Sequence, residues 1–115
     1  MARNYFARRL KYGNQKTVVG DRTFDSKKEA NRFMELCLLQ KGGVIQDLEC
    51  QKRFEIVPKT EDERAVFYVA DFVYSENGQL ICEDVKSQIT RQNPTYIIKR
   101  KLFKYLYKNY EFREV

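Results

Sequence analysis

Histidine is absent from the 115 residues, which removes the commonest acid/base side chain near neutral pH and the usual zinc ligand. Any hydrolytic chemistry must therefore rest on carboxylates and lysine. Cysteine is scarce and odd in number. Cys37, Cys50 and Cys82 show no metal-ligand spacing, and Cys37 and Cys82 lie in apolar runs, which reads as buried thiols in a reducing cytosol. No apolar run reaches the roughly 18 residues of a membrane span, and the start lacks the apolar core of a secretion signal. Repeats and Gly- or Ser-rich linkers are missing too. These absences point to one cytoplasmic domain with no membrane partner.

What is present is charge and aromatic carbon. Hydrophobic residues make up 43% and charged residues 33%, the balance of a folded protein rather than a disordered one. The 22 Lys and Arg outnumber the 16 Asp and Glu, for a net charge of +6. Such a chain favours an anionic partner, although charge alone does not separate DNA from RNA or a membrane surface.

Residues 1–16 hold Arg3, Arg8, Arg9, Lys11 and Lys16 with no acid, interleaved with Tyr5, Phe6 and Tyr12. They read as a basic arm for a polyanion, or as a solvated tail. Residues 17–115 read as one α/β domain. Val18-Val19 and Thr23-Phe24 flank Gly20-Asp21 as a short hairpin. A helix follows, capped at Asp25 or Ser26 with Glu29 at capping-box spacing, its stripe formed by Ala30, Phe33, Met34, Cys37 and Leu38, and Gly42-Gly43 stops it. Val44–Leu48 and Phe54–Val57 read as two strand pieces, and Ala65–Tyr74 and Gln79–Lys86 as a hairpin turned by Asn77-Gly78. Gln88–Asn93 reads as a polar loop. Asn93 then caps a second helix with Pro94 first, running to about Lys108 with Ile98, Leu102, Tyr105 and Leu106 inward. Phe112 and Val115 suggest a last short strand. The simplest architecture is a single mixed β-sheet with flanking helices, the final strand parallel to its neighbour through the helical crossover.

Three residues carry the chemistry. Asp71 interrupts the apolar run Tyr68–Tyr74, and Asp84 and Lys86 follow in Ile81–Ser87. Alternation puts Asp84 and Lys86 on one strand side, and puts Asp71 with Phe67, Val69 and Val73, opposite Tyr68, Ala70, Phe72 and Tyr74. The hairpin lets Asp71 and Asp84 approach. Like charges so close are unfavourable without a cation between them, and Mg²⁺ suits an oxygen-only site with few carboxylates. The plain alternative is a salt bridge from Lys86 to one of the acids. Glu29, at the edge of the helix stripe, is a third candidate acid, or a capping residue and nothing more. Glu83 faces away from Asp84 in a regular strand. Gln51, placed just before a strand, is a candidate to orient substrate or water. Lys99, Arg100, Lys101, Lys104 and Lys108 on the second helix, with the arm residues Arg8, Arg9 and Lys11, are candidates for phosphate contacts, or an ordinary solvated face.

The segments Phe24–Ala30, Tyr68–Phe72, Glu83–Ser87 and Lys99–Phe103 together resemble the PD-(D/E)XK nuclease superfamily, and more closely a small phage and prophage family of uncharacterised, resolvase-like proteins within it. The resemblance spans nearly the whole chain. It implies a restriction-endonuclease-like core in which Glu29 matches the first-helix acid, Asp71 the aspartate of the first motif strand, Asp84 the following acid and Lys86 the lysine. Lys99 or Lys101 matches the basic position on the subsequent helix. Ala70 stands where the superfamily label has proline.

The expected activity is metal-dependent phosphodiester hydrolysis of DNA, selective for junction or branched structures, by a phage or prophage protein in a bacterial cytoplasm. Asp71 and Asp84, aided by Glu29, would bind Mg²⁺, with Mn²⁺ able to substitute and no small-molecule cofactor. Lys86 would orient the attacking water and stabilise developing charge. Members of the superfamily often pair to cut two strands, which implies a homodimer. The rivals are a non-catalytic DNA-binding module and a phage structural or assembly protein.

Overall fold

The computed structural model of the protein describes residues 16–115. Arg8, Arg9 and Lys11 of the basic arm lie outside the described residues. Two compact units are present, one ending at Leu38 and one spanning Leu39–Val115.

In the first unit, β1 (Thr17–Val19) and β2 (Arg22–Phe24) pair antiparallel, with Thr17 opposite Phe24. Gly20 turns the hairpin at φ 62, a conformation that glycine enters without steric cost. Helix α1 (Lys27–Lys41) starts as its spacing anticipates, because Ser26 Oγ accepts the Glu29 amide at 3.1 Å. The Phe24 and Phe33 rings meet at 4.9 Å. The stripe differs in part from the expected one. Ala30 and Leu36 are fully buried, whereas Met34 and Leu38 are exposed.

The second unit runs β3 (Gln46–Val57), β4 (Val66–Glu76), β5 (Gln79–Asp84), α2 (Gln88–Arg91), α3 (Pro94–Leu106) and β6 (Tyr110–Glu114). Its sheet has the order β3-β4-β5-β6. The first three strands are antiparallel, and β6 runs parallel to β5 after the α2–α3 crossover. This is the mixed sheet expected of the α/β class, with the β1–β2 hairpin as a separate two-stranded sheet. Asn77 at φ 52 and Gly78 at φ 80 make the β4–β5 turn, the left-handed pair that matches strand twist.

Three local expectations are corrected. The two strand pieces before Pro58 are one twelve-residue strand, β3, which absorbs a register shift between Gln46 and Glu49. The polar loop contains the helical turn α2, capped where Ser87 Oγ accepts the Thr90 amide. Helix α3 ends at Leu106, and its buried side is rotated from the expected one. Phe103 is fully buried with Tyr96, Leu102 and Tyr107 beside it, while Ile98, Tyr105 and Leu106 are exposed. The rings decide the phase: Phe103 stands 4.8 Å from Phe54, 5.0 Å from Tyr68 and 5.3 Å from Tyr107. Aromatic side chains bury more area than the aliphatics and fill the gap above the sheet. Asn93 caps α3 as anticipated, its Oδ1 accepting the Tyr96 amide at 3.1 Å, with Pro94 in the first turn. No helix among the described residues is long and apolar enough to cross a membrane.

Candidate functional site

The β4–β5 hairpin sets Phe72 opposite Glu83, so the next residues along, Asp71 and Asp84, meet. They are joined through backbone. The Asp71 amide donates to Asp84 Oδ1 at 3.0 Å, and the Val85 amide donates to Asp71 Oδ2 at 2.8 Å. Lys86 Nζ lies 3.4 Å from Asp71 Oδ2, so the ion pair offered by the sequence is formed. Gln51 Nε2 donates to Asp71 Oδ1 at 3.4 Å, and the Tyr68 hydroxyl donates to Asp84 Oδ2. Every oxygen of the two carboxylates thus accepts at least one hydrogen bond, as buried charge requires.

Tyr68 reaches Asp84 because the strand alternation slips. Tyr68, Ala70 and Val73 all pack in one core cluster with Cys82 and Phe103, although Val73 lies an odd three positions after Ala70. The expected division, with Asp71 and Val73 on a face opposite Tyr68 and Ala70, is therefore corrected. β3 shares the slip. Lys52 pairs with Ala70 and Glu49 with Val73, and Lys52 Nζ contacts Glu49 at 3.5 Å across the same odd spacing. Between them Gln51 adopts φ 56, a left-handed conformation uncommon for a residue with a Cβ. That backbone turn aims the Gln51 amide at Asp71. Gln51 also lies inside β3 rather than ahead of a strand.

Burial sets the electrostatics. Asp84 is fully buried, and its carboxyl is pushed up to about 6, first by desolvation and then by the neighbouring Asp71 charge. Lys86, the Tyr68 hydroxyl and the Asp71 amide pull the other way. Burial and the Asp84 charge push the Tyr68 phenol well above its ordinary value, so it serves as a donor. Glu83, also fully buried, accepts from the Tyr74 hydroxyl at 2.7 Å instead. It faces away from Asp84, as the regular strand predicts.

Asp84 and Lys86 open onto a pocket of about 410 Å³, walled also by Tyr68, Tyr96, Asn93 and Lys99. Lys86 Nζ stands 5.4 Å from the Tyr96 ring centre, within reach of its negative face. The Tyr96 hydroxyl donates to Glu114 on β6. Arg91 Nε and Arg100 Nη1 each lie 3.4 Å from Glu114.

β3, the hairpin and α3 therefore bring together Asp71, Asp84, Lys86, Gln51 and Lys99. Of the other basic candidates, Arg100 is half-buried on Glu114, Lys104 lies 5.6 Å from the Phe112 ring centre, and Lys101 is exposed. Glu29 belongs to the first unit, where it is buried in the opening turn of α1. Tyr68, Tyr96 and Glu114 are absent from the sequence-derived set. Tyr68 is hidden by the shared slip, which leaves no mark in a residue pattern. Glu114 lies far along the chain and is brought beside Asp84 by the parallel pairing of β6.

Among the described residues no group of three or more Cys, Asp and Glu is arranged to hold a metal. The two acids still suit Mg²⁺, which retains water and needs only one or two carboxylates. An acid pair in which burial and mutual repulsion raise one member is relieved by a cation.

Residues 9–114 match the family described as a protein of unknown function (DUF1064), and the chain belongs to that family. No curated protein matches it.

Proposed function

For this member of the DUF1064 family we propose metal-dependent phosphodiester hydrolysis of DNA, on a core of the PD-(D/E)XK type. One observation carries the reading: Asp71 and Asp84 are locked together by backbone amides, Lys86 Nζ lies 3.4 Å from Asp71, and Asp84 and Lys86 line a pocket that Lys99 also lines. Asp71 and Asp84 are the residues that would hold Mg²⁺ or Mn²⁺, which when bound would polarise the phosphodiester and acidify water. Lys86 faces the same wall and stabilises charge that builds on the phosphate oxygens. Gln51 and Tyr68 fix the rotamers of the two acids. Lys99 draws the backbone phosphate in, a contact that supplies affinity with little sequence choice.

Purified protein offered linear, single-stranded, flap and four-way-junction DNA with Mg²⁺ or Mn²⁺ should cleave at least one of them. Asp84→Asn and Lys86→Ala should cleave it far more slowly. Equal cleavage by wild type and both variants would assign the activity to a contaminant. The second reading is a DNA-binding module without cleavage. It is favoured by the internal hydrogen bonds that already occupy all four carboxylate oxygens. It predicts salt-sensitive binding that ignores divalent metal.

A further inference from the structure

A second groove of about 380 Å³ adjoins the acidic pocket, and Thr95 and Lys99 belong to the walls of both. Its remaining lining is Ile56, Val57, Val66, Pro94, Ile98 and Leu102. Three of these apolar side chains are unusually open for their type: Ile98 is 58% exposed, Val57 38% and Val66 36%. These side chains gather round one concave groove, and its volume and apolar lining lie in the range of small-ligand sites. The two cavities have opposite chemistry. One holds Asp84, Lys86 and Asn93, the other is aliphatic, and Lys99 lines both.

We propose that this aliphatic groove receives an unpaired nucleobase whose adjoining phosphate sits against Lys99, making DNA with an extrahelical or single-stranded nucleotide the substrate class. The proposal rests on the phosphodiesterase reading above and extends it. A nucleotide has the same polarity as the two cavities: an anionic phosphate at one end and flat, weakly polar ring faces at the other. A base paired inside a stacked duplex has both ring faces covered and cannot offer them to the groove, whereas an unpaired base can. Enzymes that capture a base pay to unstack it, and pay least when it is already unpaired. The groove presents aliphatic carbon and no ring to stack on, so discrimination among the four bases should be weak.

Wild-type protein in EDTA, where cleavage is blocked, is titrated with a duplex carrying one unpaired 2-aminopurine and with the same duplex fully paired. Binding should be at least tenfold tighter to the unpaired substrate, and fluorescence should rise as the base leaves its neighbours for an aliphatic site. Ile98→Asn and Val66→Thr, both neutral changes at open positions, should abolish the preference and the fluorescence rise. They should leave affinity for paired duplex and the thermal midpoint unchanged. Binding with no fluorescence change, or with a preference that survives both variants, overturns the base site and leaves the phosphodiesterase reading standing. Loss of a dimer in sedimentation on Ile98→Asn, with base capture unaffected, overturns it in favour of a contact between two copies. No binding to either DNA, together with no cleavage in Mg²⁺, removes both readings.

Discussion

Glu83 and Asp84 are consecutive, fully buried acids on one strand, and each takes a hydrogen bond from a tyrosine of β4. Their surroundings differ. Through Tyr74, Glu83 approaches Arg113, whose Nη1 lies 3.5 Å from the Tyr74 hydroxyl and 3.1 Å from Glu76. Asp84 has a second carboxylate one backbone hydrogen bond away, a lysine two residues on, and a pocket beside it. Burial is therefore not what marks a site, since both acids are equally enclosed. The mark is a like-charged neighbour held close by backbone, with a pocket beside Asp84.

The largest contrast should appear in cleavage. Asp84→Asn keeps the size of the side chain and the bond from the Asp71 amide, but removes the charge a cation needs. The rate should fall about 10²–10³-fold, the loss typical of removing one preorganised electrostatic contact. Glu83→Gln, one residue away, should leave the rate unaltered. It should lower stability by about 1 kcal/mol, because the Tyr74 hydroxyl would then donate to a neutral oxygen rather than a charged one. Single-turnover cleavage and urea melts on the two variants separate these effects. Equal loss of rate in both would mean that Asp84 acts only as a structural acid.

Stability against pH sharpens the same comparison at the scale of about 3 kcal/mol. The Asp84 carboxyl releases its proton near 3.8 in the ordinary case and near 6 in the folded protein. Between those values the folded state binds more protons than the unfolded one, so stability falls as pH rises through the window. At about 1.4 kcal/mol per pH unit the loss approaches 3 kcal/mol. Metal-free wild type should therefore melt at a lower urea concentration at pH 7 than at pH 5. The Asp84→Asn profile should be flatter across the same range. Mg²⁺ should restore part of the loss at pH 7 in wild type alone, because a bound cation stabilises the folded state by mass action.

Much of this architecture is legible in the residues. Asn77-Gly78 predicts the hairpin that joins the two acids, Asn93-Pro94 predicts the start of α3, and the crossover predicts β6 parallel to β5. Asp84 and Lys86 open onto one pocket as their spacing requires. What the pattern does not carry is the slip at Gln51 and Asp71. There two strands bend together without glycine or proline, and a period-two reading assigns Tyr68 to the wrong side. The phase of α3 is hidden for a related reason. Counting apolar residues ranks Ile98 and Leu106 with Phe103, whereas packing selects the rings that fill the space over Phe54 and Tyr68.

The smallest effects belong to the two tyrosines, and they test whether the acid–tyrosine pairs are equivalent. Tyr68→Phe and Tyr74→Phe each remove one buried hydroxyl and the hydrogen bond it donates to its acid, at a cost of about 1 kcal/mol, or about 4 °C in a domain of this size. Their pH dependence should differ. The Tyr68 hydroxyl favours the ionised form of Asp84, so its loss should move the carboxyl further up. The midpoint of the stability decline should then shift to higher pH in Tyr68→Phe and stay in place in Tyr74→Phe. Urea melts at half-unit pH steps in EDTA read that midpoint directly. A shift of equal size in both variants would show that the window belongs to the whole buried cluster and not to Asp84, and with that the distinction between the two neighbouring acids would be lost.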